Sequence, residues 1–557
     1  MNKIVFFSTA CLFVFSSLTA QSVYLPATHP VYNFLDKMAA KQFITDYRDA
    51  VKPLSREAIA KFLITLDSTD AQMTSIERDE LRFYKEEFFE ELKNLKYDKL
   101  PEERWHLYHY QSEPSNFVVD LIGGASNDHM ADGNVLHNWQ NGFFSYGYFG
   151  KSLGVYFYYH DNHDGGSYVA SLGQNQAVLR PLSPLQAAVI SNSTSATSYD
   201  YDTFNAQLNI DLGFVTLSLE QMNDVWGAGE NGNLILSTKA PAFPQIKLRA
   251  RLSKDIEFTY IHGWLFSGIL DSSRSYNASA LGTKSIRSIY VPKYIAAQML
   301  EFTPWNGVNI ALGESEIYGN RNPELLYLIP VMFFKAAEHY MDDDDNSAFF
   351  GSFKVSVIKN YSWYLAWYVD ELRPEKIFSP TENHNQVGFT FGGNAYDVVY
   401  HDTRINVEYT RINPWVYNHN FPEDTYQNHG VNLGNWIGQN ADLFSAAISY
   451  RPMYNLEVGL QFESLRKGGK DSTKYQYSRN EPPLFYGPVT KQQSFGIVGS
   501  YQPLRDLFVD FHVLRTRFST DIKPTTPDFI NNPFDYLAEP AYAGKYDVVF
   551  SIRYNVY

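Results

Sequence analysis

The chain has 557 residues, 44% hydrophobic, 19% charged and 16% aromatic, with 41 Tyr and 40 Phe, and a formal charge of −15. That acidic balance argues against nucleic acid and against an anionic membrane surface as partners. The one cysteine, Cys11, lies in the leader described next, so disulfide, zinc-thiolate and cysteine-nucleophile chemistry are excluded from the mature chain.

The chain opens with Lys3, an apolar run from Ile4 to Phe15 and small residues before Gln21. This is a secretory signal over residues 1–20, with cleavage expected after Ala20. Its removal takes the charge from −15 to −16, because the leader holds Lys3 and no acid. After Gln21 no run of about 18 apolar residues occurs, so no helical membrane span is expected. From Pro30 to Leu95 the apolar residues recur at helical spacing. Val31, Phe34, Leu35 and Met38 form one stripe; Ile59, Phe62, Leu63 and Leu66 a second; Leu81, Tyr84, Phe88, Leu92 and Leu95 a third. Pro53 separates the first two helices, and Thr74 with Glu77 makes a capping box that starts the third near Ser75. Each helix has one apolar face, so residues 21–112 are expected to form a packed helical bundle.

Beyond Pro114 the period becomes two. Phe204, Ala206, Leu208, Ile210 and Leu212 alternate with Asn205, Gln207, Asn209 and Asp211; Leu456, Val458, Leu460 and Phe462 alternate with Asn455, Glu457, Gln461 and Glu463. Strands are expected near 116–124, 143–149, 153–160, 201–212, 214–222, 245–253, 256–265, 291–301, 308–315, 349–358, 362–369, 387–393, 398–408, 441–451, 455–464, 493–502, 507–517 and 545–557. Tight connections such as "GKS", "SKD", "KNYS", "PMYN" and "PLRD" take turns with long ones at 161–200, 266–290, 316–348 and 409–440. An even strand number with short turns at one end and long loops at the other is the signature of an outer-membrane barrel. Residues 113–557 are therefore expected to form a mainly β domain, an antiparallel transmembrane β-barrel of about 18 strands, with the bundle on its periplasmic side. The last strand carries Val548, Phe550, Ile552, Tyr554 and Val556 on one face, with Tyr557 out of phase.

Several stretches resemble one family. "HPVYNFLDKMAAKQFI" and "KPLSREAIAKFL" look like the N-terminal helices of the Wzi-like capsule assembly family, and "VWGAGENGNLILSTKAPAFPQIKL" (225–248) is similar to its most distinctive barrel segment. "LGESEIYG" (312–319), "DNSAFFG" (345–351), "NPWVYNHN" and "GVNLGNWIGQNADL" (413–443) resemble segments of bacteroidete-type members. The resemblance runs from about residue 25 to the end. It implies an eighteen-stranded outer-membrane barrel with a periplasmic helical bundle, holding capsular polysaccharide or exopolysaccharide at the cell surface. Outer-membrane lipid is the other expected partner. The "SREAIAKFL" helix is also similar to S-layer-homology modules, which adds peptidoglycan as a partner of the bundle.

Site chemistry is sparse. No G-x-S-x-G, H-E-x-x-H, P-loop or Rossmann glycine pattern occurs, so a non-enzymatic protein without cofactor or metal is expected. "DDDD" at 342–345 lacks the alternating spacing of a calcium loop and reads as a solvated tip. Gly227, Gly229 and Gly232 beside Trp226 suit a folded-in loop, or a ligand platform. The richest ligand candidate is 409–440, with Trp415, Tyr417, Tyr426 and Trp436 among Asn418, Asn420, Asn428, Asn432 and Asn435. Aromatic faces stack on the C–H faces of sugars and amides read hydroxyls; the alternative is a rim girdle with a polar loop. "DST" at 67–69 and 471–473 matches an O-glycosylation tripeptide. Two functions compete with a surface lectin: a porin-like channel or saccharide transporter, supported by the polar inward faces, and an outer-membrane hydrolase, disfavoured by the missing nucleophile motif.

Overall fold

The computed structural model describes residues 22–556 except 131–132, 173–177, 180–184, 191, 196, 278–285, 343–344, 372–384, 470–475, 477–481 and 522–545. The leader, Cys11, Tyr557 and the second "DST" lie outside the described residues. Eighteen long antiparallel strands, from Ser115–His129 to Tyr546–Tyr554, close into one barrel. Closure joins the last strand to the first, from Val548 opposite His129 to Tyr554 opposite Gly123.

Alternation builds the wall, since successive side chains point to opposite faces. Leu208, Ile210, Leu460 and Phe550 are exposed on the outside, whereas Gln207, Asn209 and Gln245 are buried on the lumen side. All eighteen expected strands exist, but their ends differ. The first two run on to His129 and back to Val135, and the strand expected at 398–408 is Thr403–Ile412. Val398, Val399 and Tyr400 instead stay exposed in the short turn before it. The C-terminus departs from simple alternation too. Asn555 adopts φ +55 and donates its side-chain amide to Leu121 O at 2.8 Å. This turns Val556 inward, onto the cluster of Val23, Val118 and Ile122, away from the outer face it was expected to share.

Helices Val31–Ala40 (α1), Arg56–Asp67 (α2), Ser75–Glu87 (α3) and Phe89–Asn94 (α4) enclose their own apolar core. The Thr74–Glu77 capping box forms as expected. The third stripe, however, is broken at Phe88 into two helices, which lets Glu87 and Glu91 both reach Arg56.

The bundle is seated in the short-turn end of the barrel by charge. Lys37 Nζ lies 2.9 Å from Asp402 and 3.0 Å from Glu77; Lys41 Nζ lies 2.6 Å from both Glu77 and Asp397. Lys354 reaches Asp36 and Asp49 at 2.6 and 2.8 Å, and Arg505 meets Glu86 at 2.6 Å. Arg451 joins Glu80 to Glu457, and Arg104 joins Glu87 to Asp506. Burial opposes the charge of Lys37, but Glu80, Glu77 and Asp402 outweigh it and hold the ammonium above its ordinary pKa. Such buried pairs add little net stability over apolar packing, yet breaking one is costly, so they set how the two parts fit.

Candidate ligand-binding site

Two loops from the long-loop end turn into the lumen. Residues 222–243 descend until Val225–Trp226 pairs with Val51–Lys52, which rises from the bundle side. Gly227 N also donates to Ala50 O at 2.8 Å. The tight path needs glycine at Gly232 (φ +107), where a Cβ would sit 2.9 Å from Asn435 Nδ2 and 3.0 Å from Trp436. The glycines around Trp226 therefore close a folded-in loop.

The second loop, 413–440, packs on the first. Tyr417 OH donates to Leu234 O at 2.5 Å, Tyr426 OH to Ile235 O at 2.8 Å, and Trp436 Nε1 to Asn231 O at 3.1 Å. Tyr417 and Tyr426 stack at 5.5 Å, with Tyr368 of the wall edge-on to Tyr417 at 4.9 Å. Trp226, Tyr417, Tyr426 and Trp436 thus share one apolar cluster with Ala50, Val51 and wall residues such as Ile261 and Phe350. Trp415 precedes Val416 of this cluster and is fully buried, and Asn418 is buried with its amide on Val416 O at 3.0 Å. The structure brings the six sequence candidates together, but as plug interior, with their ring faces occupied by protein.

Open space lies just above. A rim cavity of about 650 Å³ is lined by Lys335, Glu338, Asp345, Asp370, His419 and Phe421, among others. His419, Asn420 and Phe421 follow directly on Asn418, so the plug loop supplies part of this cup. Phe421 is 42% exposed, leaving an aromatic face for a ligand. Gln476 is buried with its amide donating to Gln386 Oε1 at 2.8 Å and Asn418 O at 3.0 Å, while its Oε1 has no hydrogen-bond partner. Burial, with Asp345 next in effect, raises Asp424 beneath the cup to about 8. Burial, with Lys335 adding to it, lowers His419 to about 4, so this imidazole is neutral at pH 7. Carboxylates, amides and one aromatic face are a set that accepts from and donates to sugar hydroxyls.

Asp370 and Phe421 were not singled out by sequence. Asp345 belongs to "DDDD", yet it is not a solvated tip: it is buried, receiving Tyr327 OH at 2.7 Å and pairing with Arg321. Asp342 ends the helix Phe334–Met341 in a left-handed conformation, and residues 343–344 lie outside the described residues. Among the described residues two clusters could hold a metal ion by geometry, Glu90 with Glu103 and His109, and Glu77 with Asp397 and Asp402. The second is already bridged by Lys37 and Lys41.

One solved barrel shares this fold. The solved structure described as Wzi, an outer-membrane protein of Escherichia coli involved in group 1 capsule assembly and a carbohydrate-binding β-barrel, is 13% identical. It covers 96% of this chain and 100% of its own, with a TM-score of 0.56. Acinetobacter baumannii OccAB2 is 8% identical over 79% of this chain and 98% of its own, with a TM-score of 0.42. Pseudomonas aeruginosa OccK7 is 10% identical over 80% and 99%, with a TM-score of 0.40. No curated protein matches the chain by sequence. The profile of the family described as capsule assembly protein Wzi matches residues 138–517, well over half of the chain. The chain is therefore an outer-membrane β-barrel that belongs to the Wzi capsule assembly family.

Proposed function

We propose that this barrel binds capsular polysaccharide or exopolysaccharide at the cell surface through the rim cup, without catalysis and without conducting solute. The observation that carries this reading is the pairing of Val51–Lys52 with Val225–Trp226, which joins material entering from both ends inside the lumen. A lumen closed this way leaves the long-loop end to act as a receptor. In this orientation the long loops face outward and the bundle stands in the periplasm, within reach of peptidoglycan. The cup sets Glu338, Asp342, Asp345 and Glu371 against Lys335 and the neighbouring Arg321, which pair with Glu338 and Asp345, so its acidic excess disfavours uronic acids and suits neutral or amine-bearing sugars. The buried rings of Trp415, Tyr417, Tyr426 and Trp436 serve as the floor that fixes His419–Phe421, while Phe421 offers the stacking face.

The test is binding of the purified barrel to a neutral and to a uronic-acid polysaccharide, with planar-bilayer recording of the same preparation. Preference for the neutral polymer, weakened about 2–10-fold by Phe421→Ala, is expected, by analogy with aromatic pairs worth about 0.5–1.5 kcal/mol. Steady large conductance would replace this reading with a channel.

A further inference from the structure

Strand Val308–Gly319 points Leu312 outward and Ala311 and Ile317 inward. By the same alternation Glu314, Glu316 and Tyr318 must also point outward, toward lipid. All three are nevertheless buried, because the segment from Asn320 to Met341 folds back over the outside of the barrel. Tyr327 and Phe334 of this segment pack on the outward-facing Tyr260, Tyr294 and Tyr318. Polar bonds staple it down. Phe334 N donates to Glu314 at 3.0 Å, Gln298 donates to Met332 O at 2.6 Å, Tyr260 OH to Tyr327 O at 2.7 Å, and Glu324 N to Tyr318 OH at 3.1 Å. Ser347 Oγ sits between Glu316 and Glu338, 2.6 and 2.7 Å from each.

Height on the wall says what surrounds this flap. Strands rise about 3.3 Å per residue and tilt by roughly 35–45°, so each residue climbs about 2.3–2.7 Å along the membrane normal. Glu314 and Glu316 then stand about 14–16 Å and 18–22 Å above Val308, within an apolar band about 25 Å tall. Exposed Trp305 marks its lower rim. Bare carboxylates there would face hydrocarbon; the flap supplies their partners and covers them. The middle of the flap shows apolar side chains in their place: Leu325 is 71% exposed, Val331 81% and Phe333 53%, while Asn320 and Asn322 at one end and His339 and Tyr340 (84%) at the other are exposed as well. Phe333 also lies 5.9 Å from Phe349, a ring of the outer wall, so the apolar surface of the flap continues the lipid-facing surface of the barrel.

We propose that residues 320–341 form an outer-wall flap seated in the outer leaflet, with Leu325, Val331 and Phe333 on lipid acyl chains. The occupant of this surface is membrane lipid, and the helix Phe334–Met341, which lines the rim cup, is thereby held at the membrane surface. The test uses the full chain in phosphatidylcholine vesicles, with a nitroxide at Val331→Cys and, separately, at Tyr340→Cys. Leu312→Cys on the outer wall and Ser272→Cys in an exposed turn serve as references. Collision with oxygen and with a nickel chelate gives a depth value. Val331→Cys is expected to shift from the water-like value of Ser272→Cys to the lipid-like value of Leu312→Cys, with Tyr340→Cys between them. Nickel access at both positions equal to that of Ser272→Cys would overturn the proposal. So would protection from both reagents with cross-linking of Val331→Cys into dimers, which would assign the surface to a second copy of the chain.

Discussion

The two ends of the lumen are closed by different physics. At the short-turn end the bundle meets the barrel through buried ion pairs, among them Lys37–Asp402, Lys354–Asp49 and Arg104–Asp506. At the long-loop end the plug meets the wall through rings and aliphatic side chains, with tyrosine hydroxyls donating to backbone carbonyls. The bundle has its own core, so its seam need only select one orientation, and charge does this well because mispaired ions are strongly penalised. The plug loops have no core of their own. They are stable only by sharing the apolar interior of the barrel, so their closure depends on packing.

Mutations should separate the two. Trp226→Ala removes a fully buried ring from the plug and should cost about 3–5 kcal/mol there. Proteolysis within 227–240 and a rise in bilayer conductance are the measurements, with gel mobility of the unboiled barrel unchanged. Arg56→Met acts at the other end. It leaves Glu91 without its buried guanidinium and strips one partner from Glu87, at a cost of about 3–5 kcal/mol to the bundle itself, whose helices α2, α3 and α4 these pairs tie together. Hydrogen exchange should rise over α1 to α4 and stay constant over 413–440. If either mutation loosens both ends equally, the closures are one cooperative unit and the distinction fails. Leu460→Arg, on the lipid face, should cost about 2–4 kcal/mol depending on depth and hinder assembly of the whole barrel. Glu457→Gln, on the lumen face, removes one of two carboxylates from Arg451 and should assemble normally.

The pH response should be the mildest effect and opposite in sign at the two ends. Burial lowers His29 in the bundle to about 3; Glu87 opposes this and Arg56, Arg104 and Arg505 add to it. The unfolded state then binds more protons below the ordinary histidine pKa of about 6.5, so docking is full above it and is lost as pH falls through the folded value. Burial also pushes Glu87 upward, but Arg104 and Arg56 outweigh it and hold its carboxyl below the usual range, which acts in the same direction. Glu80, raised by burial, partly offsets them. Asp424 at the cup is raised to about 8. Its contribution is fully present below the ordinary carboxylate range and is lost as pH rises through about 8. Hydrogen exchange at pH 5 and pH 8 should therefore show the bundle looser at the lower value and residues 421–426 looser at the higher one. His29→Asn should flatten the first response and Asp424→Asn the second.

Local pattern carried much of this protein. Alternation over 204–212 and 455–464 named the wall and its two faces, because a strand in lipid must keep one side apolar along its whole length. The alternation of short and long connections set strand number and polarity for the same reason, and a capping box marked the start of α3. The candidate site was legible only as a loop too aromatic to be idle. Whether Trp415 and Tyr417 face a ligand or the interior depends on contacts with 226–236, nearly two hundred residues away in the chain. The outer flap left one trace, an expected strand end at 315 where polar residues occupy outward positions; the strand in fact continues to Gly319. Sequence by itself determined which residues could line lipid, because that demand repeats every second residue. Only the tertiary structure decided where loops break the rule, because Glu314 and Glu316 are acceptable on the outer face once a distant segment covers them.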